Sequence, residues 1–307
     1  MPDIDPLRVR QRFTRHSSER ADFILREVSA RMFERLDYIK LAPAAVLDAG
    51  CGALADAREL ARRFPAARTL GVDLVGPRTA AASIPGRDGG WLGGLLGGLR
   101  KPGRPAGPMF VRADCGTLPL ATDSLDLVWS NLVLHWHPAP HRVMPEWRRV
   151  LRTGGLVMFS AFGPDTLKEV RAACAAAWPG SGNAHVADFT DMHDYGDMLV
   201  AAGFADPVMD VERLTLTYAD AASLWRDVRA LGGNAASGRS RGLTGRAARA
   251  RLDAALDATR DAAGRHCLSF EIVYGHAWGA VPRRNAAGEA MVRVADIGRG
   301  RAPGRGE

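Results

Sequence analysis

The 307-residue sequence predicts an α/β fold, a mostly parallel seven-stranded sheet with helices on both faces. Three observations predict it. Short apolar runs alternate with helical patterns from Ala44 to Phe159. Three of those runs end on or near an acid, at Asp48, Asp73 and Asp114. The first is followed at once by a glycine-rich turn, Gly50-Cys51-Gly52.

The elements follow in order. A helix is expected from Glu19 to Ile39, because Leu25, Val28, Met32, Leu36 and Ile39 recur at helical spacing. Pro43 separates it from the apolar run Ala44 to Leu47, a buried strand ending at Asp48. A helix from Leu54 to Phe64 is stopped by Pro65. Thr69 to Asp73 is a second strand. Residues 83–108 carry a Gly-rich stretch and then Pro102, Pro105 and Pro108, the mark of a surface insertion. Its Trp91, Leu92, Leu95 and Leu96 allow a short apolar contact helix. Strands resume at Met109 to Val111, Leu125 to Trp129 and Leu156 to Phe159, with a helix over Ala139 to Leu151 and a turn at Gly154-Gly155. A helix over Asp191 to Ala202 is capped by Gly203. Val208 to Leu214 and Leu268 to Tyr274 close the sheet, with helices near Asp220 to Leu231 and Thr244 to Ala263 between them.

Composition narrows the classes. The chain is 47% hydrophobic and 24% charged, ordinary for a globular protein. No apolar run reaches the roughly 18 residues of a membrane span, and the acidic N-terminus does not resemble a signal peptide. Membrane association is therefore not expected, and the cytoplasm is the default location. Cys51, Cys115, Cys174 and Cys267 are scattered, without metal-ligand spacing, so neither a metal site nor a disulfide framework is expected. The net charge of +7 reflects an arginine-rich composition, in which Lys40, Lys101 and Lys168 are the only lysines. Part of the excess sits between Arg293 and Arg305. The basic residues are not interleaved with stacking aromatics, which speaks against a nucleic-acid substrate.

In a parallel sheet, ligands bind at the carboxyl ends of the strands. Gly50 and Gly52 let the backbone turn tightly and approach a ligand. Asp73 is placed to accept from ribose hydroxyls, with Leu74 following it. Asp114 is placed to face an adenine amino group, with Cys115 beside it. Gly50 to Ala55 also fits the dinucleotide pattern G-x-G-x-x-A. Charge separates the two readings. An anionic pyrophosphate disfavours Asp48 just before the loop, whereas a sulfonium and ammonium cation suits flanking acids. Asn131, after the fourth strand, either holds its loop or contacts the donor's amino-acid end.

The run Val46-Leu47-Asp48-Ala49-Gly50-Cys51-Gly52 resembles class I S-adenosylmethionine-dependent methyltransferases, as do Asp73, Ala113 to Leu120, Asp126 to Trp136 and Glu146 to Gly155. With Phe159 to Glu169 and Phe189 to Asp194, the match is similar to the malonyl-[acyl-carrier protein] O-methyltransferase family of biotin synthesis and covers most of residues 8 to 278. The same stretches resemble a related respiratory complex I assembly factor that hydroxylates an arginine, and other small-molecule methyltransferases remain an alternative. The resemblance implies a Rossmann-like fold with an N-terminal helical lid over 1–40 and a methyltransferase domain over 41–280, and the Gly- and Arg-rich composition of 281–307 predicts a disordered basic tail. It implies S-adenosylmethionine as methyl donor, held by Asp48, Gly50, Cys51, Gly52, Asp73, Leu74, Asp114, Cys115 and Asn131. It also implies an acyl carrier protein bearing a malonyl thioester as partner.

The acceptor carboxylate is already ionised near neutral pH, so no general base is required and no catalytic residue is assigned. Arg15, His16 and Arg20 in the lid, and His135 after the fourth strand, are candidate clamps. For His135 and Trp136 the competing role is packing under the lid, and His137 reads as a turn residue. Carrier proteins are acidic, so Arg239 to Arg246 with Arg249 and Arg251 is a candidate docking face. Two departures from the family stand out. Leu54 occupies the place of a third loop glycine, where a side chain is expected to narrow the approach to the methionine moiety. The family's tyrosine shortly after Phe13 is missing, since the stretch Phe13 to Arg20 has none.

Overall fold

A computed structural model describes residues 4–15, 22–76, 107–179, 185–239 and 245–280. Seven strands form one sheet: β1 (Ala45–Ala49), β2 (Arg68–Asp73), β3 (Met109–Arg112), β4 (Leu125–Ser130), β5 (Leu151–Phe162), β6 (Phe204–Tyr218) and β7 (His266–Gly279). Their order is β3-β2-β1-β4-β5-β7-β6. The first five run parallel, and β7 runs antiparallel to both neighbours. The predicted sheet is therefore present, with its two closing strands at one edge.

Helices cover both faces. In chain order they are α1 (Pro6–Arg15), α2 (Asp22–Asp37), α3 (Ala55–Arg63), α4 (Pro140–Val150), α5 (Lys168–Ala177), α6 (Met192–Ala201), α7 (Ala221–Ala230) and α8 (Arg246–Asp257). Every residue of β1 is buried, as a central parallel strand covered on two sides requires. One core packs Val28, Met32, Val170, Leu224 and Leu252 from the helices against Val46, Trp129 and Phe270 of the sheet. The other packs Val143, Trp147, Tyr195 and Leu199 against Leu47, Val128 and Phe159. Edge strand β6 instead shows the alternation of a half-covered strand. Helix α2 is tied to it by Arg31–Glu212 and by Arg35–Asp210 at 2.6 Å.

The strand order places the site. β2 and β3 lie on one side of β1, and β4 lies on the other. The chain therefore leaves β1 and β4 in opposite senses, which opens a crevice beyond their carboxyl ends. The loop Gly50–Gly52 and the segment Asn131–Val133 form its two lips.

Five elements differ from the expected ones. β5, β6 and β7 run several residues longer than their apolar centres, because ladder pairing between long antiparallel neighbours carries the strands outward. Helix α5 was not expected. Its buried face is built of Val170, Ala173, Cys174 and Ala177, and small residues give little contrast for a periodicity to show. Helix α1 occupies part of the lid segment. The residues expected to form the basic tail, and residues 83–106 of the insertion with Trp91, Leu92, Leu95 and Leu96, lie outside the described residues. Among the described residues, no helix is long and apolar enough to cross a membrane.

Candidate active site

The loop after β1 is held from beneath. The N–H groups of Gly50 and Cys51 both donate to the Val72 carbonyl, at 2.7 and 3.0 Å, which stitches the turn to β2. Gly50 has φ of +85° and Gly52 φ of +47°, both in the left-handed region that glycine enters without strain. A Cβ on Gly50 would lie 2.7 Å from Val133 Cγ1, so the two lips of the crevice touch only because that side chain is missing.

Asp73 ends β2 and lines the crevice. Its two oxygens accept from the N–H groups of Gly52 at 3.0 Å and Val75 at 2.8 Å. Both oxygens keep lone pairs for further donors such as ribose hydroxyls. Burial pushes its carboxyl up, against those two backbone bonds. Asp114 sits two residues past β3, also on the crevice. Its Oδ1 accepts from Gly116 N–H at 2.7 Å and lies 3.2 Å from His137 Nε2. The Ala139 N–H donates to His137 Nδ1 at 3.0 Å, which leaves the ring proton on Nε2, facing the carboxylate. The His137 hydrogen bond holds the Asp114 carboxyl below its ordinary value. His137 is thus both the expected turn residue and a partner for Asp114, a role that nothing in the local sequence signals.

Asp48 is 2% exposed and does not line the crevice. Burial first, then Asp56 and Asp73, push its carboxyl well up, and its Oδ2 has no hydrogen-bond partner. Cys51 is also turned inward, packed with Leu54 and Ala57 against Phe110. Cys115 lines the crevice as a buried thiol, pushed up to about 12 by burial and by Asp114. Among the described residues, ligand atoms of Asp114, Cys115 and His137 come within 4.8 Å of one another. Leu74 and Asn131 line the crevice too. The Asn131 amide is engaged on every side: it donates to the Leu25 carbonyl at 3.0 Å and to Asp56 at 3.2 Å, and accepts from Ser160 Oγ at 2.9 Å. This is the loop-holding arrangement.

Leu54 corrects an expectation. It has φ of +64°, the backbone shape that suits glycine, yet its side chain is 2% exposed. It points toward Gly71, where a Cβ would lie 2.6 Å from Leu54 Cδ2. It does not line the crevice and does not narrow it.

The lid helices close the crevice from above. Val9, Phe13, Ile24 and Leu25 line it, and Phe13 meets the Trp136 ring edge-on at 5.3 Å. The side chain of Arg15, together with His16 and Arg20, lies outside the described residues, as do residues 240–244 of the basic run. Of the remaining arginines there, Arg239 pairs with Asp5 at 3.2 Å, Arg249 pairs with Asp253 at 2.7 Å, and Arg251 donates to the Ala177 carbonyl at 3.2 Å. Among the described residues that line the crevice, Asp73 and Asp114 are acids and none is lysine or arginine. The cavity carries two acids, polar groups at Asn131, His135 and His137, and a largely apolar remainder, a fit for a cationic ligand carrying a purine and a ribose.

A methyltransferase-domain family model matches residues 47–159, from β1 through β5. The YcgJ protein of Bacillus subtilis has the same fold, with a TM-score of 0.55 at 15% identity over 84% of this chain and 100% of that one. Fold and domain match together mark residues 47–159 as a methyltransferase domain on a Rossmann-like sheet. The malonyl-[acyl-carrier protein] O-methyltransferase of Gallionella capsiferriformans (strain ES-2) is 43% identical over 295 residues, 95% of this chain and 97% of the relative. That of Laribacter hongkongensis (strain HLHK9) is 48% identical over 285 residues, 91% of this chain and 92% of the relative. The chain belongs to the malonyl-[acyl-carrier protein] O-methyltransferase family.

Proposed function

We propose that the protein transfers the methyl group of S-adenosylmethionine to the free carboxylate of a malonyl group on acyl carrier protein, giving the methyl ester that starts pimeloyl synthesis for biotin. The observation that carries this reading is the extent of the family match. It reaches beyond the methyltransferase core to the N-terminal helices that roof the crevice, and those are the elements placed to recognise an acceptor.

The donor supplies an electrophilic methyl carbon on a sulfonium. Asp73 accepts from its ribose hydroxyls, and Asp114, with Cys115 beside it, faces the adenine edge. Gly50 and Gly52 let the backbone approach the methionine portion. Asp48 and Cys51 act from behind the loop, by packing beneath it and fixing its shape. One carboxylate oxygen bonds to the methyl carbon as the carbon–sulfur bond breaks and its electron pair returns to sulfur. No proton moves, so the protein's work is alignment and removal of water from the carboxylate. The apolar roof of Val9, Phe13, Ile24 and Leu25 performs the second task. The acidic carrier docks on the arginine face that begins with exposed Arg246 and includes Arg249 and Arg251.

The test is turnover of labelled donor with malonyl, succinyl and acetyl thioesters on carrier protein. The reading expects S-adenosylhomocysteine and an ester product only with a free terminal carboxylate, and fastest with malonyl. Carrier binding without methyl transfer would point to the assembly-factor-like alternative instead.

A further inference from the structure

A second cavity lies behind the donor crevice. Val170, Cys174, Trp178, Val228, Leu252 and Phe270 wall much of it, so it is mainly apolar, with His185 and Asn234 also on its lining. The two spaces share His135, Trp136, Phe162 and Leu231, which form a partition between them. The space is partly open to solvent, so its apolar side chains form an accessible groove that the apolar parts of a ligand would cover.

His135 is the polar feature of that partition. It is 2% exposed and packs against Phe162 with ring centroids 4.4 Å apart. The Phe162 N–H points at Nδ1 from 3.4 Å, so Nδ1 is the accepting nitrogen and the proton resides on Nε2. Nε2 is buried and has no partner. Burial holds the ring neutral, with its titration pushed down to about 3. A buried N–H with no acceptor is a cost that a fold tolerates where a ligand supplies the acceptor.

We propose that the second cavity receives the thioester end of the acyl group and the inner part of its pantetheine stem, and that His135 Nε2–H donates to the acyl carboxylate where it enters the donor crevice. This rests on the carboxyl-methylation reading above. The chemistry suits a neutral donor. An arginine clamp would engage both carboxylate oxygens and cancel their charge. A single imidazole N–H engages one oxygen and leaves the other to attack the methyl carbon. The dicarboxylic acyl chain is short, so placing its carboxylate at the partition puts the thioester in the second cavity. The uncharged stem then runs among apolar walls. One wall carries Trp225, over whose ring Arg249 of the proposed docking face lies at 5.6 Å, so the cavity reaches the side on which an acidic carrier would sit.

The experiment uses the full chain with malonyl-pantetheine as acceptor, which removes carrier docking from the measurement. Wild-type turnover is measured first; its absence would count against the methylation reading and leave the cavity to be tested by acceptor binding alone. His135→Phe keeps the ring and removes the donor. It should lower kcat/KM about 10- to 100-fold, the worth of a hydrogen bond to a charged group. His135→Gln, which offers an N–H near the same place, should recover part of the loss. Binding of S-adenosylhomocysteine should stay within about twofold in both variants, as expected for a group not assigned to the donor. Val228→Phe fills the second cavity and should raise KM for the thioester about tenfold or more, again with donor binding kept. Cys174→Leu is a smaller filling for use if the first variant does not fold. Unchanged kcat/KM in a folded His135→Phe would overturn the role of His135. An unchanged KM in a folded cavity-filling variant would overturn the cavity assignment.

Discussion

The close approach of Gly50 to Val133 makes a quantitative prediction. At Gly50, φ is +85°, and an added Cβ would lie 2.7 Å from Val133 Cγ1, 2.9 Å from Val133 Cβ, and closer still to Cγ2. Rotating the valine cannot clear the clash, because its own Cβ is part of it and its χ1 is stiff. Gly50→Ala therefore combines two costs. The left-handed backbone costs an L-residue about 1–2 kcal/mol. Overpacking costs about 1–3 kcal/mol. The smaller entropy of the unfolded alanine chain returns about 0.5–1 kcal/mol, leaving a net loss of about 1–4.5 kcal/mol. Urea unfolding of Gly50→Ala, Val133→Ala and the double variant separates the terms. The double variant should be less destabilised than the sum of the singles by about 1–3 kcal/mol, the steric part alone. Gly52→Ala is the control: φ is +47° with nothing within 4 Å of the added Cβ, so it carries the backbone cost only. Additive behaviour of Gly50→Ala and Val133→Ala would show that the lips of the crevice do not meet as described, and the reasoning would fail.

Three further outcomes are expected. Asp73→Asn keeps the shape at the end of β2 but removes the charge that ribose hydroxyls bond to, so calorimetric affinity for S-adenosylhomocysteine should fall at least about tenfold; unchanged affinity would remove Asp73 from the donor site. Leu54→Gly exchanges a buried side chain, worth about 2–5 kcal/mol, for relief of about 1–2 kcal/mol of backbone strain. It should lower stability by chemical denaturation while leaving donor affinity within about twofold, and markedly tighter binding would mean that Leu54 does obstruct the crevice after all. Asp48→Asn tests the buried acid through pH. The folded-state pKa of Asp48 is raised, so folding favours the protonated form, and the stability this contributes is present at low pH and lost as pH rises through the folded value. The variant should therefore melt above the wild type near neutral pH, with the advantage shrinking on acidification; an advantage that grows toward low pH would refute the sign.

Much of the sheet is legible in the sequence for a simple reason. Its central strands are buried on both faces, so they read as short continuous apolar runs, and the acids at their ends mark where the chain emerges beside the crevice. Asp73 and Asp114 lie where those runs indicate. Leu54 shows the limit. Its place in the loop is visible, but the direction of its side chain depends on Gly71 of the neighbouring strand, whose missing Cβ makes the hole that Leu54 fills. Asn131 is similar: the residue stands out, while its three partners come from α2, α3 and β5. Helix α5 was hidden because alanine and cysteine bury a face without announcing a period. For Asp48 the sequence shows an acid at a strand end, while its depth beneath the loop is set by the packing around it.

The hydrogen bonds around Asp56 connect these pieces into one argument about how the lid and the donor loop are coupled. Asp56 stands in the first turn of α3, directly after the glycine loop. Its carboxylate accepts from Ser29 Oγ of α2 at 2.7 Å, from Trp129 Nε1 of β4 at 2.9 Å, and from Asn131 Nδ2 at 3.2 Å. Burial pushes its carboxyl up, and these three donors pull against that. No cation neutralises it among these partners, so it is a buried acid held by neutral donors, and its negative potential reaches Asp48. Asn131 also grips the Leu25 carbonyl, which makes a second link from the loop after β4 to α2. Leu25 itself lines the crevice roof. A ligand that draws the lip at Asn131 inward must therefore drag α2 with it or break bonds to a buried carboxylate, and the second course leaves that group short of partners in a low-dielectric site. A shift of the Asn131 lip on donor binding would therefore be carried to α2 and Leu25 through bonds centred on Asp56, which itself does not line the crevice.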